Sequence, residues 1–305
     1  MRKEGFKLWL LIFNFLFAAT FDFQNGFIYD DNIYQFSQKD LQAFQRGKKE
    51  QDYKTTDDLI GEIILKLNFY QEHFKFSFAS QYKNYFQNRK KSYQEYKLTI
   101  FFSKVDFGYS FLPNYYLRNF YQKPCLYTEH TFFSQIKFNN LGIGLKNEID
   151  IYNKDFSYYN GNIFSTLLKY EKDFDSKYQI KTALTFTKNF LINKLKENEP
   201  DIAYFQMGSQ GQIKRRGDFF DLSGFIEIKR RAYLTKKDVS HKGRLDYLFA
   251  FGWEILLKLK KDLQLSFGYE YERRDCKIPY KEEYEDIKNY YKNIFYLKLA
   301  KGGKL

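Results

Sequence analysis

The chain has 305 residues, 44% hydrophobic and 21% aromatic, yet its mean hydropathy is -0.62, so apolar side chains must be interleaved with polar ones. No stretch offers the ~20 consecutive apolar residues of a spanning helix, which excludes a helical membrane protein and leaves a closed barrel as the way to cross a bilayer. Cys125 and Cys276 are too few for a disulfide framework and stand in no C-x-x-C spacing; whether they pair stays open.

A formal charge of +13 would ordinarily point to nucleic acid or an anionic surface. Here Lys, Asn, Ile, Phe and Tyr are all abundant, as an AT-rich genome would produce, and no nucleic-acid partner is expected.

In chain order, Arg2, Lys3 and Lys7 precede an apolar run from Leu8 to Phe17, and Ala18-Ala19-Thr20 supplies small residues for cleavage. These features predict a signal peptide over residues 1–20 and a single barrel domain over residues 21–305. Phe27 to Phe36 is the first expected strand. Ser37 with Asp40 has the look of a helix N-cap, so residues 37–60 read as a long loop carrying a turn or two of helix.

Period-two alternation then recurs. Ile63 to Phe69 and Phe74 to Phe78 make one hairpin, and Tyr96 to Phe102 with Val105 to Phe111 make the next. Pro113 to Arg118 is expected to end that strand and open a long loop through His130. Phe132 to Phe138, Leu141 to Ile151, Phe164 to Tyr170, Ile180 to Phe186, Ala203 to Lys214 and Phe220 to Ile228 follow. The clearest hairpin runs from Leu245 to Tyr271, where Tyr247, Phe249, Phe251, Trp253 and Ile255 alternate with Asp246, Ala250, Gly252 and Glu254. Tyr291 to Leu299 is the last strand. Short turns alternate with longer loops throughout, and the expected fold is an all-β, antiparallel up-and-down transmembrane barrel of about 14 strands (range 12–14). A two-sheet sandwich would show the same alternation with its faces exchanged.

The export signal, the alternating strands, the turn-and-loop rhythm and the aromatic closing strand Asn293 to Leu299 resemble porin-like outer-membrane β-barrels of Gram-negative bacteria. That resemblance implies location in the outer membrane and a channel for passive diffusion of small hydrophilic solutes or ions. Its partners would be outer-membrane lipid and lipopolysaccharide, the barrel assembly machinery and small polar solutes, with oligomeric state open. The alternative is a non-conducting structural or surface-binding barrel. Such barrels often end in an aromatic residue, whereas this chain continues through Ala300 to Leu305.

Placing the weaker alternating face in the lumen gives candidate pore-lining residues Lys66, Lys97, Lys146, Glu148, Lys181, Glu227, Lys229, Glu254, Lys258 and Glu270. A mixed lining with a small excess of bases predicts cross-strand ion pairs and weak anion preference. Gly108, Gly142, Gly144, Ala183, Gly252 and Gly268 on that face are expected to leave open space, and the loop 37–60 to be the obstruction. No catalytic residue, metal site or cofactor is expected. The histidines His73, His130 and His241 are scattered, and the best pairing, His130 with Ser134, spans about 13 Å of strand, too far for proton transfer. Basic runs at Arg46 to Lys49, Arg89 to Lys91 and Lys236 to Arg244 are candidate surface sites for lipopolysaccharide phosphates.

Overall fold

The computed structural model describes residues 18–47, 54–120, 123–193, 199–236, 238–260, 262–280 and 285–304; most of the expected signal peptide lies outside them. Aromatic and β-branched residues at every second position favour extended chain. They form β1 (Ala18–Asp30), β2 (Asp58–Tyr70), β3 (Phe74–Tyr85), β4 (Tyr93–Phe102), β5 (Val105–Phe120), β6 (Lys123–Phe138) and β7 (Leu141–Tyr152). The second half supplies β8 (Gly161–Phe174), β9 (Tyr178–Leu191), β10 (Tyr204–Arg216), β11 (Phe220–Tyr233), β12 (Leu245–Lys260), β13 (Leu263–Lys277) and β14 (Tyr290–Lys304). Each strand pairs antiparallel with its sequence neighbours, and β1 closes on β14 through pairs such as Phe27 with Leu297, giving a 14-strand barrel with no free edge. Closure rules out the sandwich.

Directly opposed residues of an antiparallel ladder share a face, so the register carries one face around the wall. Glu227 stands opposite Ala250, Ala250 opposite Glu272 and Glu272 opposite Lys292. The alternate positions hold Ile226, Phe251 and Tyr271, and this second face exposes large apolar groups along the whole barrel, Phe27, Phe107, Phe132, Leu184 and Phe295 among them. Burying that band requires lipid; the charged face points inward.

The turns 71–73, 103–104, 139–140, 175–177 and 217–219 lie at one end with Ala18 and Lys304, and the longer connections lie at the other. Three expectations need correction. The first strand spans Ala18–Asp30 rather than Phe27 to Phe36, because Asp31 and Asn32 leave the ladder in a turn: Asp31 accepts hydrogen bonds from the Asn293 backbone N–H and side-chain amide. Pro113 does not end β5. The register shifts between Leu112 and Tyr115 and again between Tyr116 and Arg118, and pairing resumes to Phe120 opposite Lys123. A bulge is where a sheet tolerates a residue lacking an N–H, so the long loop expected there is a tall hairpin and His130 lies on a strand. Finally, the tail beyond Leu299 continues β14, with Gly303 opposite Phe21 and Lys304 opposite Thr20.

The first loop opens on the helix α1 (Gln38–Gln45), capped as expected by the Ser37 hydroxyl, which accepts from the Asp40 backbone N–H at 3.1 Å. Before it, residues 31–36 fold against the inner wall. Asn32, fully buried, donates to the Phe36 and Tyr291 carbonyls and accepts from the Phe36 N–H. This clasp places Tyr34 and Phe36 in an apolar cluster with Ile28, Ile33, Ile60, Tyr85 and Tyr116, so the main hydrophobic core sits at the long-loop end. The loop expected to obstruct the lumen was placed at residues 37–60; the segment seen packed against the inner wall is 31–36, just before it, with Leu41 and Phe44 of α1 against the same cluster.

Candidate functional site

The inner wall is the candidate site, and the register brings all ten expected lining residues onto it. Lys66, Ala79, Lys97, Ser110, Thr131 and Glu148 form a continuous row across β2 to β7. Many inner charges close on neighbours: Lys229 with Glu227 at 2.6 Å, Lys181 with Glu171 at 3.0 Å, and Lys258 and Lys214 with Asp221 at 2.7 and 2.9 Å. Lys146 pairs with Glu148 on the same strand. The tightest knot is at Glu62, buried at the β1–β3 sector, which meets Lys298 at 2.7 Å, Lys83 at 3.6 Å, and the Gln81 and Gln24 amides.

The inner glycines do not all leave open space. A Cβ on Gly108 would overlap the Phe133 ring, one on Gly252 would lie 2.6 Å from Phe225, and one on Gly268 would overlap the Tyr296 hydroxyl. Each of these glycines therefore lets a neighbouring aromatic lie flat against the wall. Gly144 is different, with ordinary contacts from 3.5 Å.

Beside Gly144, a cavity of ≈ 480 Å³ is lined by Glu95, Lys97, Glu129, Phe133, Lys146 and Lys169 among others. Toward the long-loop end the same wall carries a tyrosine ladder, with ring centroids 5.1 Å apart for Tyr93 and Tyr115, 5.4 Å for Tyr115 and Tyr127, and 5.2 Å for Tyr127 and Tyr152. Glu129 was absent from the sequence expectation because Pro113 and Pro124 concealed the alternation Cys125, Tyr127, Glu129, Thr131.

Cations gather at the outer mouth. Arg231 lies over the Tyr204 ring at 4.1 Å, Arg244 over Tyr233 at 4.7 Å and Arg274 over Tyr290 at 4.7 Å. In the short helix α2 (Glu285–Lys288), burial pushes the Lys288 ammonium down to about 8, reinforced by the nearby charges of Arg244, Arg118 and Arg274. Of the basic runs expected at the surface, Lys48, Lys49 and Lys237 lie outside the described residues. Lys91 is only 3% exposed: its Nζ faces the Tyr34 and Tyr115 rings at 4.9 and 5.2 Å and donates to the Leu117 carbonyl. Burial pushes its ammonium down to about 7, against the pull of the Asp30 carboxylate and reinforced by the nearby charges of Arg118 and Lys292. Arg244 is likewise buried and paired with Asp246. Both are fixed into the structure rather than offered to an outer ligand.

His130 lies on the outer face among Tyr109, Phe111 and Phe132, with Nδ1 2.8 Å from the Tyr109 hydroxyl. In the loop 234–244, Asp238, Ser240 and His241 cluster in a way that resembles a hydrolase triad. Yet Ser240 Oγ and Asp238 Oδ2 both meet the same ring nitrogen, His241 Nδ1, at 3.2 and 2.5 Å. A triad needs the nucleophile on the other nitrogen, so this is a turn-locking cluster. Burial pushes the Asp238 carboxyl up, but hydrogen bonds from His241 and Ser240 outweigh it and hold the group below the usual carboxylate range. The two cysteines are buried free thiols.

No protein-family model matches the sequence, and no curated protein matches it. Among solved structures, a bacterial polysaccharide outer-membrane secretin superposes with a TM-score of 0.52 at 9% identity, covering 93% of this chain and 98% of that one. The outer-membrane channel DcaP of Acinetobacter baumannii gives 0.49 at 10% identity over 94% and 98% of the two chains. The NanC porin gives 0.43 at 9% identity over 92% and 98%. With its closed antiparallel wall, apolar outside and charged inside, the chain is in fold a porin-like outer-membrane β-barrel.

Proposed function

We propose that the protein is a channel for diffusion of small hydrophilic solutes and ions across the outer membrane, exported by residues 1–20 and surrounded by lipid, its role transport rather than catalysis. The observation that carries this reading is solvent access within the wall: Lys97 and Lys169 point inward yet are exposed, and cavities of ≈ 480, ≈ 390 and ≈ 250 Å³ lie along the inner face. A filled barrel would have closed these gaps with side chains.

Selectivity is weak on this reading. Asp22, Asp30, Asp58, Glu129, Glu171 and Asp173 also face inward, as do Lys83, Arg216 and Arg231, so the inner charges are mixed, and the bias toward anions comes from the cationic outer mouth around Arg231, Arg274 and Lys288. Purified protein in a planar bilayer should give discrete, weakly anion-selective channels. Replacing residues 33–55 by a short glycine–serine turn should raise conductance by removing Tyr34 and Phe36 from the mouth. Silence from both proteins would reject conduction.

A further inference from the structure

The cavity beside Gly144 separates charge instead of pairing it. On its outer side Glu95 and Glu129 have no ion pair among the described residues, Glu129 receiving only the Thr131 hydroxyl at 2.8 Å. Behind the lining, Glu148 and Asp150 bring carboxylate oxygens within 4.8 Å of that of Glu129, and Asp150 Oδ1 is buried without a hydrogen-bond partner among the described residues. On the inner side, Lys97 Nζ faces the Phe133 ring at 4.8 Å and Lys169 donates to Gln135 Oε1 at 3.2 Å, neither meeting a carboxylate. Lys146, also on the lining, is paired with Glu148.

Glu95 and Glu129 on one side and Lys97 on the other thus face one cavity, held apart by the strand repeat, with Lys169 farther along the wall. Glu95 and Lys97 are successive inward positions of β4, as are Glu129 and Thr131 of β6, and Lys97 shares the row of Thr131 through Ser110. One such repeat is about 7 Å. An extended dipeptide separates its terminal ammonium and carboxylate by two residue lengths, also ~7 Å. A simple anion would meet the acids and a simple cation the lysines, each at a cost; a zwitterion of this length satisfies both ends. The tyrosine ladder leading down from the mouth offers apolar contact to the side chains such a solute carries.

We propose that this cavity is a binding site for a dipeptide-sized zwitterion, its ammonium held by Glu95 and Glu129 and its carboxylate by Lys97. The inference does not rest on conduction, since binding to the wall can be measured on a closed barrel.

The test is calorimetric titration of the detergent-purified, heat-modifiable protein with alanyl-alanine, its N-acetyl derivative and its C-terminal amide. The zwitterion should bind about tenfold more tightly than either capped form, the ~1.4 kcal/mol of one charge contact at each end. In Glu129→Gln the preference over the N-acetyl derivative should shrink, and in Lys97→Gln the preference over the amide should shrink. Equal affinity for the three peptides on the unmodified protein, or no binding by any of them, overturns the proposal without reference to the variants.

Discussion

Two stretches of the same inner wall use the same residue types to opposite ends. At the seam where β14 returns to β1, Glu62 is 1% exposed and takes two lysines and two amides, so its buried charge is compensated from every side. At β4 to β8, Glu95 and Glu129 face a cavity and Lys97, one inward position along β4, is left apart from them. The difference lies in geometry. Lys298 stands opposite Gly26, which stands opposite Glu62, and that glycine lets the lysine stem lie flat and reach across. Around Glu129 the aromatic Phe133 takes up the space over Gly108, and its ring engages the ammonium of Lys97. Closed charges hold the barrel shut; open ones are available to a solute.

The sharpest way to break this contrast is Glu62→Ala. It strands Lys298 beside a buried gap, and loss of one partner of a buried pair costs ~3–5 kcal/mol, to be read as a lower urea midpoint for the heat-modifiable barrel. Glu129→Gln, by comparison, should leave that midpoint unchanged or raise it, because it removes a repelling neighbour of Glu148 and Asp150. Equal losses in the two variants would erase the distinction.

The next largest effect tests the faces themselves. Phe251→Arg and Phe267→Arg put a charge against lipid and should cost ~2–4 kcal/mol each near the midplane or block assembly. Glu254→Arg and Glu270→Arg on the inward face should assemble normally, with folding scored by gel mobility before and after heating.

A smaller effect is expected where aromatics lie over glycines. Gly268→Ala drives a methyl into the Tyr296 hydroxyl and the Trp253 carbonyl and should destabilise by ~1–3 kcal/mol. Gly144→Ala, with ordinary contacts only, should be silent. If both behave alike in urea, packing over the glycines is not what shapes the wall.

The last test concerns the mouth. Lys91 has its folded value pushed down to about 7, below that of the unfolded chain, so the unfolded state binds the extra proton between about pH 7 and 10. Stability of this loop therefore rises as pH increases through that window and is lowest below it. Amide exchange at residues 86–92, corrected for the intrinsic pH dependence, should slow between about pH 7 and 10, and Lys91→Met should abolish the change. Unaltered protection would mean that the two tyrosine rings hold the charge without penalty.

Alternation with period two was enough to read from the sequence that the chain is β-rich and that Phe251 and Glu254 belong to opposite faces, since a strand cannot change face without breaking its pleat. The rhythm of short turns and long loops added the count of about 14 strands, whereas closure as a barrel rather than a sandwich was decided by the pairing of β1 with β14. The helix at Ser37 was equally legible, because a cap is a local hydrogen bond. Strand ends were not: Pro113 reads as a stop unless the bulges that accommodate it are known, and these depend on the β6 partner. Nor could sequence show that Phe133 lies over Gly108, that Tyr34 packs inside the mouth or that Lys91 is buried beneath it. Which charges pair and which stand apart was decided by tertiary structure alone, because Glu62 and Lys298 are 236 positions apart and meet only when the last strand closes on the first.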